Sequence, residues 1–500
     1  MGDMNREGYE FTYSGGLILS CLGCVLGTGN IWRFPRVLAS ASSDGGKTQK
    51  TLLPCSCVRT FGNVLIRAYA GSLTFILTWT CFLFAWSIPL IITEYTMGRF
   101  TRGSPLISFY RFLGPKFLWT GCWRLLLCCG RLVLLLFLPG LLSISSARIP
   151  HRKCGDIYLV HCECFPYLPR KHSLIILFMA FRLYTVCKFL ATESVPNIID
   201  SFDLKSTWYP LLMHTIGLVI CGVCVFAGVQ GIEVANVCLV PIQLFIVVFT
   251  FGWSLTREYA DVGIQFMFTP KWSTLADPKL YVEAACQNAF DTAAGMGLFS
   301  AYAAYFTRKT SAVRYGMFLP MINNLVSLVC GFMLFATVFS TLIATEPTFT
   351  IPQIVEIMKD SGPGSTGLTF TWIPVLMAKM GVFGRVLCAL FFLCLSFAGI
   401  TSMISYIELT ARTIQDFGVN RTNATIASLV VTFLVGVPSA VNLRILTNQD
   451  FVWGFALMIS GLCYCLLVVR YDPLRYRKVI VNDFGIGDLK LPLVWIVSIA

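Results

Sequence analysis

Gly23-Cys24-Val25-Leu26-Gly27-Thr28-Gly29-Asn30-Ile31-Trp32-Arg33-Phe34-Pro35 closes the first long apolar run of the chain. An ordinary membrane span avoids Gly23, Gly27, Gly29, Asn30, Arg33 and Pro35, because a helix in hydrocarbon must satisfy its own amides and carbonyls. Glycines beside Asn and Arg therefore predict a deliberate break in the helix. Such a break leaves bare carbonyls within reach of a cation. Taken alone, the stretch also fits a glycine-rich packing face.

The rest of the chain makes a bilayer the expected setting. Of 500 residues, 56% are hydrophobic and 13% charged, a balance that a soluble protein does not sustain. Runs of the ~20 apolar residues needed to cross a bilayer recur. They fall at about 15–38, 72–95, 118–145, 207–227, 233–254, 281–304, 316–343, 384–411, 423–442 and 451–469, with an eleventh starting near 490. Runs this continuous predict helices, not a barrel. No removable signal peptide is evident, since 15–38 is too long and follows Asp3, Glu7 and Glu10 beside Arg6.

The net charge of +13 does not point to nucleic acid, because the basic residues are spread through loops and form no aromatic-interleaved patch. The lipid bilayer is the expected partner. Arg99, Arg102, Arg111 and Lys116 follow the second run, Arg308, Lys309 and Arg314 the sixth, and Arg470, Arg475, Arg477 and Lys478 the tenth. The positive-inside rule puts these loops and the N-terminal residues 1–14 in the cytoplasm. Most of the 21 cysteines lie in apolar runs without metal-ligand spacing and read as small buried hydrophobes. Cys154, Cys162 and Cys164 fall in a loop placed outside, where a disulfide is allowed.

Gly27-x-Gly29-Asn30-x-Trp32-Arg33-Phe34-Pro35 resembles the first-helix signature of the neurotransmitter:sodium symporter family, the sodium-coupled neurotransmitter and amino-acid transporters. The resemblance implies an all-α polytopic membrane protein, one transmembrane domain over 1–500, built from inverted five-helix repeats with broken first and sixth helices. The second run is similar to the family pattern in Ser87-Ile88-Pro89-Leu90, Glu94 and Met97-Gly98-Arg99; Pro89 predicts a kink, and Glu94 needs a partner. Residues 47–70 read as an insertion. Residues 122–200 depart from the pattern, with no Tyr between Tyr110 and Tyr158 where the family has a substrate-binding one. That stretch is a divergent third helix and extracellular loop, or a corrupted sequence. The family has eleven or twelve helices, so the C-terminus is expected to be truncated.

In the sixth run, Phe290-Asp291-Thr292-Ala293-Ala294-Gly295-Met296-Gly297 weakens a helix through its glycines and alanines. It matches the family's unwound substrate segment; close helix packing through small residues is the alternative. Two opened helices offer amides to a carboxylate and carbonyls to an ammonium, which suits a zwitterion. By resemblance the substrate is an amino acid, because monoamine carriers have Asp where Gly27 stands. Gly27, Gly29, Phe290 (the aromatic lid), Ala293, Gly295, Met296, Gly297, Phe397, Ser402 and Tyr406 are then the substrate-binding residues. No organic cofactor is implied.

The resemblance also implies two sodium sites. One uses the Gly23, Leu26 and Ala398 carbonyls with the Thr401 and Ser402 hydroxyls, oxygen ligands that suit a hard cation. The competing reading is that such hydroxyls bond their own helix. The other uses Asn30, the Val25 carbonyl, Asn323 and Asp291, where the family has Ser or Thr. An ionisable group at bilayer centre costs ~2.5–3.5 kcal/mol, so Asp291 requires a cation or a proton. Of the family's chloride ligands Gln287 and Ser327 remain, whereas Trp79 and Asp291 replace a tyrosine and a serine; chloride-independent transport follows. Arg33 and Asp450 match the outer gate, and Arg6, Tyr305 and Asp416 the inner one. The expected function is sodium-coupled amino-acid import by alternating access, in a multi-pass protein of the plasma membrane. The other candidate is a non-transporting relative that only binds an amino acid. An enzyme is not expected, since no nucleophile, base and oxyanion set converges.

Overall fold

The computed structural model describes residues 11, 14–41, 72–115, 208–346, 348–359, 373–441 and 443–499. The stretches 47–70 and 122–200, the third apolar run and Arg6 lie outside these residues. Among the described residues every regular element is helical. Six helices are long and apolar enough to cross a membrane, and one bent pair makes a seventh candidate span.

That pair is the opening stretch. α1 (Ser14–Val25) stops where the Gly27 amide turns back to the Val25 carbonyl at 2.6 Å, and a π-type turn, Gly29–Arg33, leads into α2 (Phe34–Ala41). The two halves meet at 45°. Asn30 Oδ1 also accepts from the Gly27 amide at 3.0 Å, so a side chain and the Val25 carbonyl share that amide at the break.

The second span runs from Leu73 to Thr101 as α3 (Leu73–Phe82), a π turn over Leu83–Ser87, and α4 (Ile88–Thr101). Pro89 cannot donate into the ladder, and the widened turn just before it absorbs the mismatch. α5 (Pro105–Leu113) follows. After the gap come α6 (Trp208–Phe226), α7 (Gly228–Leu255) and α8 (Ala260–Met267). The sixth run is broken as expected, into α9 (Pro278–Thr292) and α10 (Leu298–Ala303).

α11 (Ala312–Thr345), α12 (Ile351–Lys359), α13 (Ile373–Ala378), α14 (Gly381–Gln415), α15 (Arg421–Val441) and α16 (Leu443–Tyr471) complete the bundle. α11 and α14, at 34 and 35 residues, are about 50 Å long, so both outrun a ~30 Å hydrocarbon core. α17 (Pro473–Arg475), a π turn over Tyr476–Asp483 and α18 (Val494–Ile499) end the described chain. The eleventh span expected from about 490 is here a helix of six residues.

Burial sorts the helices. α4, α10, the second half of α9 and long stretches of α11 and α14 are enclosed, whereas α7, α15 and α16 present Phe245, Val248, Leu434 and Leu462 outward. Phe245 is 70% exposed and Val248 64%. Apolar surface of that extent is stable in lipid, not in water.

Candidate functional site

The two breaks face each other. A methyl group on Gly29 would lie 3.2 Å from Asp291 Oδ1 and 3.8 Å from the Phe290 carbonyl. In the second break Ala293, Gly295 and Gly297 take left-handed φ of 56°, 88° and 86°, which ends α9 and frees amides. Glu94 of α4 collects two of them, Gly295 N on Oε1 at 2.8 Å and Gly297 N on Oε2 at 3.1 Å. These are the partners that the buried carboxylate needs. Ser460 of α16 donates to the Gly295 carbonyl.

Between the breaks lies a small cavity. Gly27, Gly29, Phe290, Ala293, Ser402 and Tyr406, all expected substrate residues, line it. The sequence reading missed Cys24, Thr28 and Trp32, which also line it. Their signal was their place on the same broken turn as Gly27 and Gly29. Gly295, Met296, Gly297 and Phe397, also expected as substrate residues, are not among its lining residues. Gly295 and Gly297 serve Glu94, Met296 Sδ accepts from the Tyr406 hydroxyl at 2.9 Å, and the Phe397 carbonyl accepts from Thr401 at 3.1 Å.

Over one end of the cavity the Arg33 guanidinium sits 4.0 Å from the Phe290 ring centroid and donates to Gln287 Oε1. Asp450 belongs to α16, and its side chain lies outside the described residues. The Arg33–Asp450 pair therefore stays an expectation.

A polar cluster connects the breaks to α11. Asn30 Nδ2 donates to Asn323 Oδ1 at 2.8 Å and to Ser327 Oγ at 2.7 Å. Gln287 Nε2 donates to Asp291 Oδ1 at 2.7 Å, and Ser327 Oγ donates to Oδ2 at 3.4 Å. The Asp291 carboxylate thus stands where Gln287 and Ser327, two donors suited to an anion, converge. Asp291 is 1% exposed and Asn30 likewise. The Val25 carbonyl, grouped with them by sequence, accepts from the Gly27 amide.

A second set of oxygens lies between α1 and α14. Thr401 Oγ1 donates to the Phe397 and Ala398 carbonyls at 3.1 and 3.2 Å, and the Leu26 carbonyl accepts from Gln243 of α7. Gly23 packs directly against Asn236 Oδ1. Ser402 Oγ is buried with no hydrogen-bond partner among the described residues, and it would lie 2.8 Å from a methyl on Gly27. An orphaned buried hydroxyl beside backbone carbonyls fits a hard cation. Among the described residues no three His, Cys, Asp or Glu are grouped to hold a metal.

The expected inner-gate residues separate. The Asp416 carboxylate accepts from the Ser104 amide at 2.8 Å. Tyr305 instead donates to Glu408 at 2.6 Å, and Arg421 pairs with Glu408 at 2.8 Å and reaches the Tyr305 hydroxyl at 3.2 Å. Phe11 packs on Tyr302 and Tyr305.

Comparison with known proteins agrees with this architecture. An uncharacterized sodium-dependent transporter of Methanocaldococcus jannaschii is 24% identical over 99% of this chain and 87% of its own length. The sodium- and chloride-dependent taurine transporter of Canis lupus familiaris is 24% identical over 78% of the chain. The chain spans only 58% of that transporter's length. The crystal structure of MhsT in complex with L-phenylalanine superposes with a TM-score of 0.69 at 20% identity, over 98% of this chain and 96% of MhsT. The model of the sodium:neurotransmitter symporter family matches residues 62–485, and the chain therefore belongs to that family of secondary transporters.

Proposed function

We propose that the chain carries an amino acid across the membrane together with sodium by alternating access, without chloride. The observation that carries this reading is the meeting of two broken helices across a cavity, with Gly27 and Gly29 on one side and Phe290 and Asp291 on the other. Sodium held by Asn30, Asn323, the Val25 carbonyl and Asp291 would touch the substrate carboxylate. Each ligand then raises the other's affinity by the same factor, which couples the sodium gradient to uptake. Leu26, Gly23 and Ala398 carbonyls with Thr401 and Ser402 form the second sodium site. Arg33 with Asp450 closes one end and Asp416 with Arg6 the other, while Tyr305 joins Glu408 and Arg421. The charged loops orient the N-terminus to the cytoplasm in the plasma membrane.

The phenylalanine in the MhsT structure and the amino-acid carriers among the relatives support an amino acid as cargo. Asp291 supports chloride independence, because a fixed anion held by Gln287 and Ser327 leaves no call for a free one. Uptake of a radiolabelled amino-acid pool into proteoliposomes, with and without an inward sodium gradient, tests the whole reading. Accumulation driven by sodium and indifferent to chloride is expected. Binding without uptake would make the chain a non-transporting relative.

A further inference from the structure

The Leu26 carbonyl is the open end of α1, and it is already engaged: Gln243 Nε2 donates to it at 3.0 Å. Gln243 lies mid-way along α7, two residues past Pro241, and is 1% exposed. Its backbone carbonyl accepts from Cys394 Sγ of α14 at 3.6 Å. Gln243 therefore stands where α1, α7 and α14 meet, beside the oxygens of the second proposed sodium site. Its side-chain oxygen Oε1 is buried and has no partner among the described residues.

A structural strut explains this side chain poorly. Burying an amide oxygen without a donor works against stability, and an apolar side chain of the same length would bridge the helices without that penalty. What only an amide supplies is the N–H aimed at Leu26. A carbonyl oxygen has two lone pairs, but an N–H hydrogen and a sodium ion on one oxygen are both positive and repel.

We propose that Gln243 is a positioning residue of the second sodium site: with that site empty, its N–H takes the cation's place on the Leu26 carbonyl. The proposal rests on the symport reading above and deepens it. The N–H stabilises the empty form and so weakens sodium by about the worth of one hydrogen bond, two- to tenfold. A carrier profits from such weakening, since an ion that never leaves is not transported.

The purified full chain is tested as wild type, Gln243→Met, which keeps the length, and Gln243→Leu, which keeps apolar contact, both removing the donor. Thermal unfolding is followed in choline chloride and across a sodium chloride series. Each variant is expected to gain more stability from sodium than wild type does, and to reach half-maximal stabilisation at two- to tenfold lower sodium. A strut would shift melting equally in both salts and leave the half-maximal sodium concentration unchanged or raised, which overturns the proposal. So does failure of both variants to fold in either salt. Wild type that sodium does not stabilise sinks the symport reading itself, a result distinct from failure of the Gln243 proposal alone.

Discussion

Changing Glu94 to Gln keeps its shape but removes its charge and turns one of its two oxygens into a donor facing an amide. Hydrogen bonds to a charged group are worth about 1.5–3 kcal/mol, and two of them hold the second break open. Glu94→Gln should therefore lose at least tenfold in amino-acid binding, measured by scintillation proximity, and should melt earlier. Unchanged binding would mean that the break holds itself. Gly27 and Gly29 are separable in the same assay. A methyl at 27 meets the Ser402 hydroxyl at 2.8 Å inside the cavity, so Gly27→Ala should block binding at every sodium concentration. A methyl at 29 presses Asp291 Oδ1 at 3.2 Å, so Gly29→Ala should chiefly raise the sodium requirement. Glu94's need for a partner was legible in the sequence, because a carboxylate in a span has few options. Which partner was not, since Gly295 lies 201 residues away.

At the scale of the element, the sequence located both breaks, because glycine runs beside Asn30 and Asp291 have no place in an uninterrupted span. It did not show how tightly the second break is seated. A methyl at Gly295 would lie 3.0 Å from the Gly461 backbone, with φ at 88°, so neither the residue nor its neighbour can give way. Gly295→Ala should destabilise by about 2 kcal/mol or more, from left-handed strain plus the backbone clash, seen as a lowered melting midpoint in detergent. An unchanged midpoint would show that α16 can retreat from α9. The π turn before Pro89 was legible only as a kink, since sequence period does not reveal which turn widens.

Over the whole molecule, the segment after α17 ties distant helix ends together. Arg99, fully buried at the end of α4, pairs with Asp488 at 2.9 Å and donates to the Thr310 carbonyl at 2.7 Å. Asp488 also accepts from the Val313 amide at the start of α11, at 3.0 Å, and Arg308 stacks on Phe484. Removing one partner of a buried ion pair strands the other, which typically costs about 3–5 kcal/mol. Asp488→Ala should accordingly destabilise the chain far more than Lys379→Ala, whose pair with Glu346 is half-exposed. Equal melting of the two variants would remove this clasp from the account. Nothing in the family motifs signalled it, because the contact joins a helix end to a loop 389 residues later.

The bond between Asn30 and Asn323 has a consequence for how the protein is made. Its ends are 293 residues apart, and at about 5–20 residues per second a ribosome takes roughly 15–60 s to cover that distance. During that interval the first span has left the ribosome without the partner that α11 supplies to its break. The opening helix is thus finished long after it is synthesised, and the machinery that inserts the chain must shelter an incomplete turn until its companion arrives.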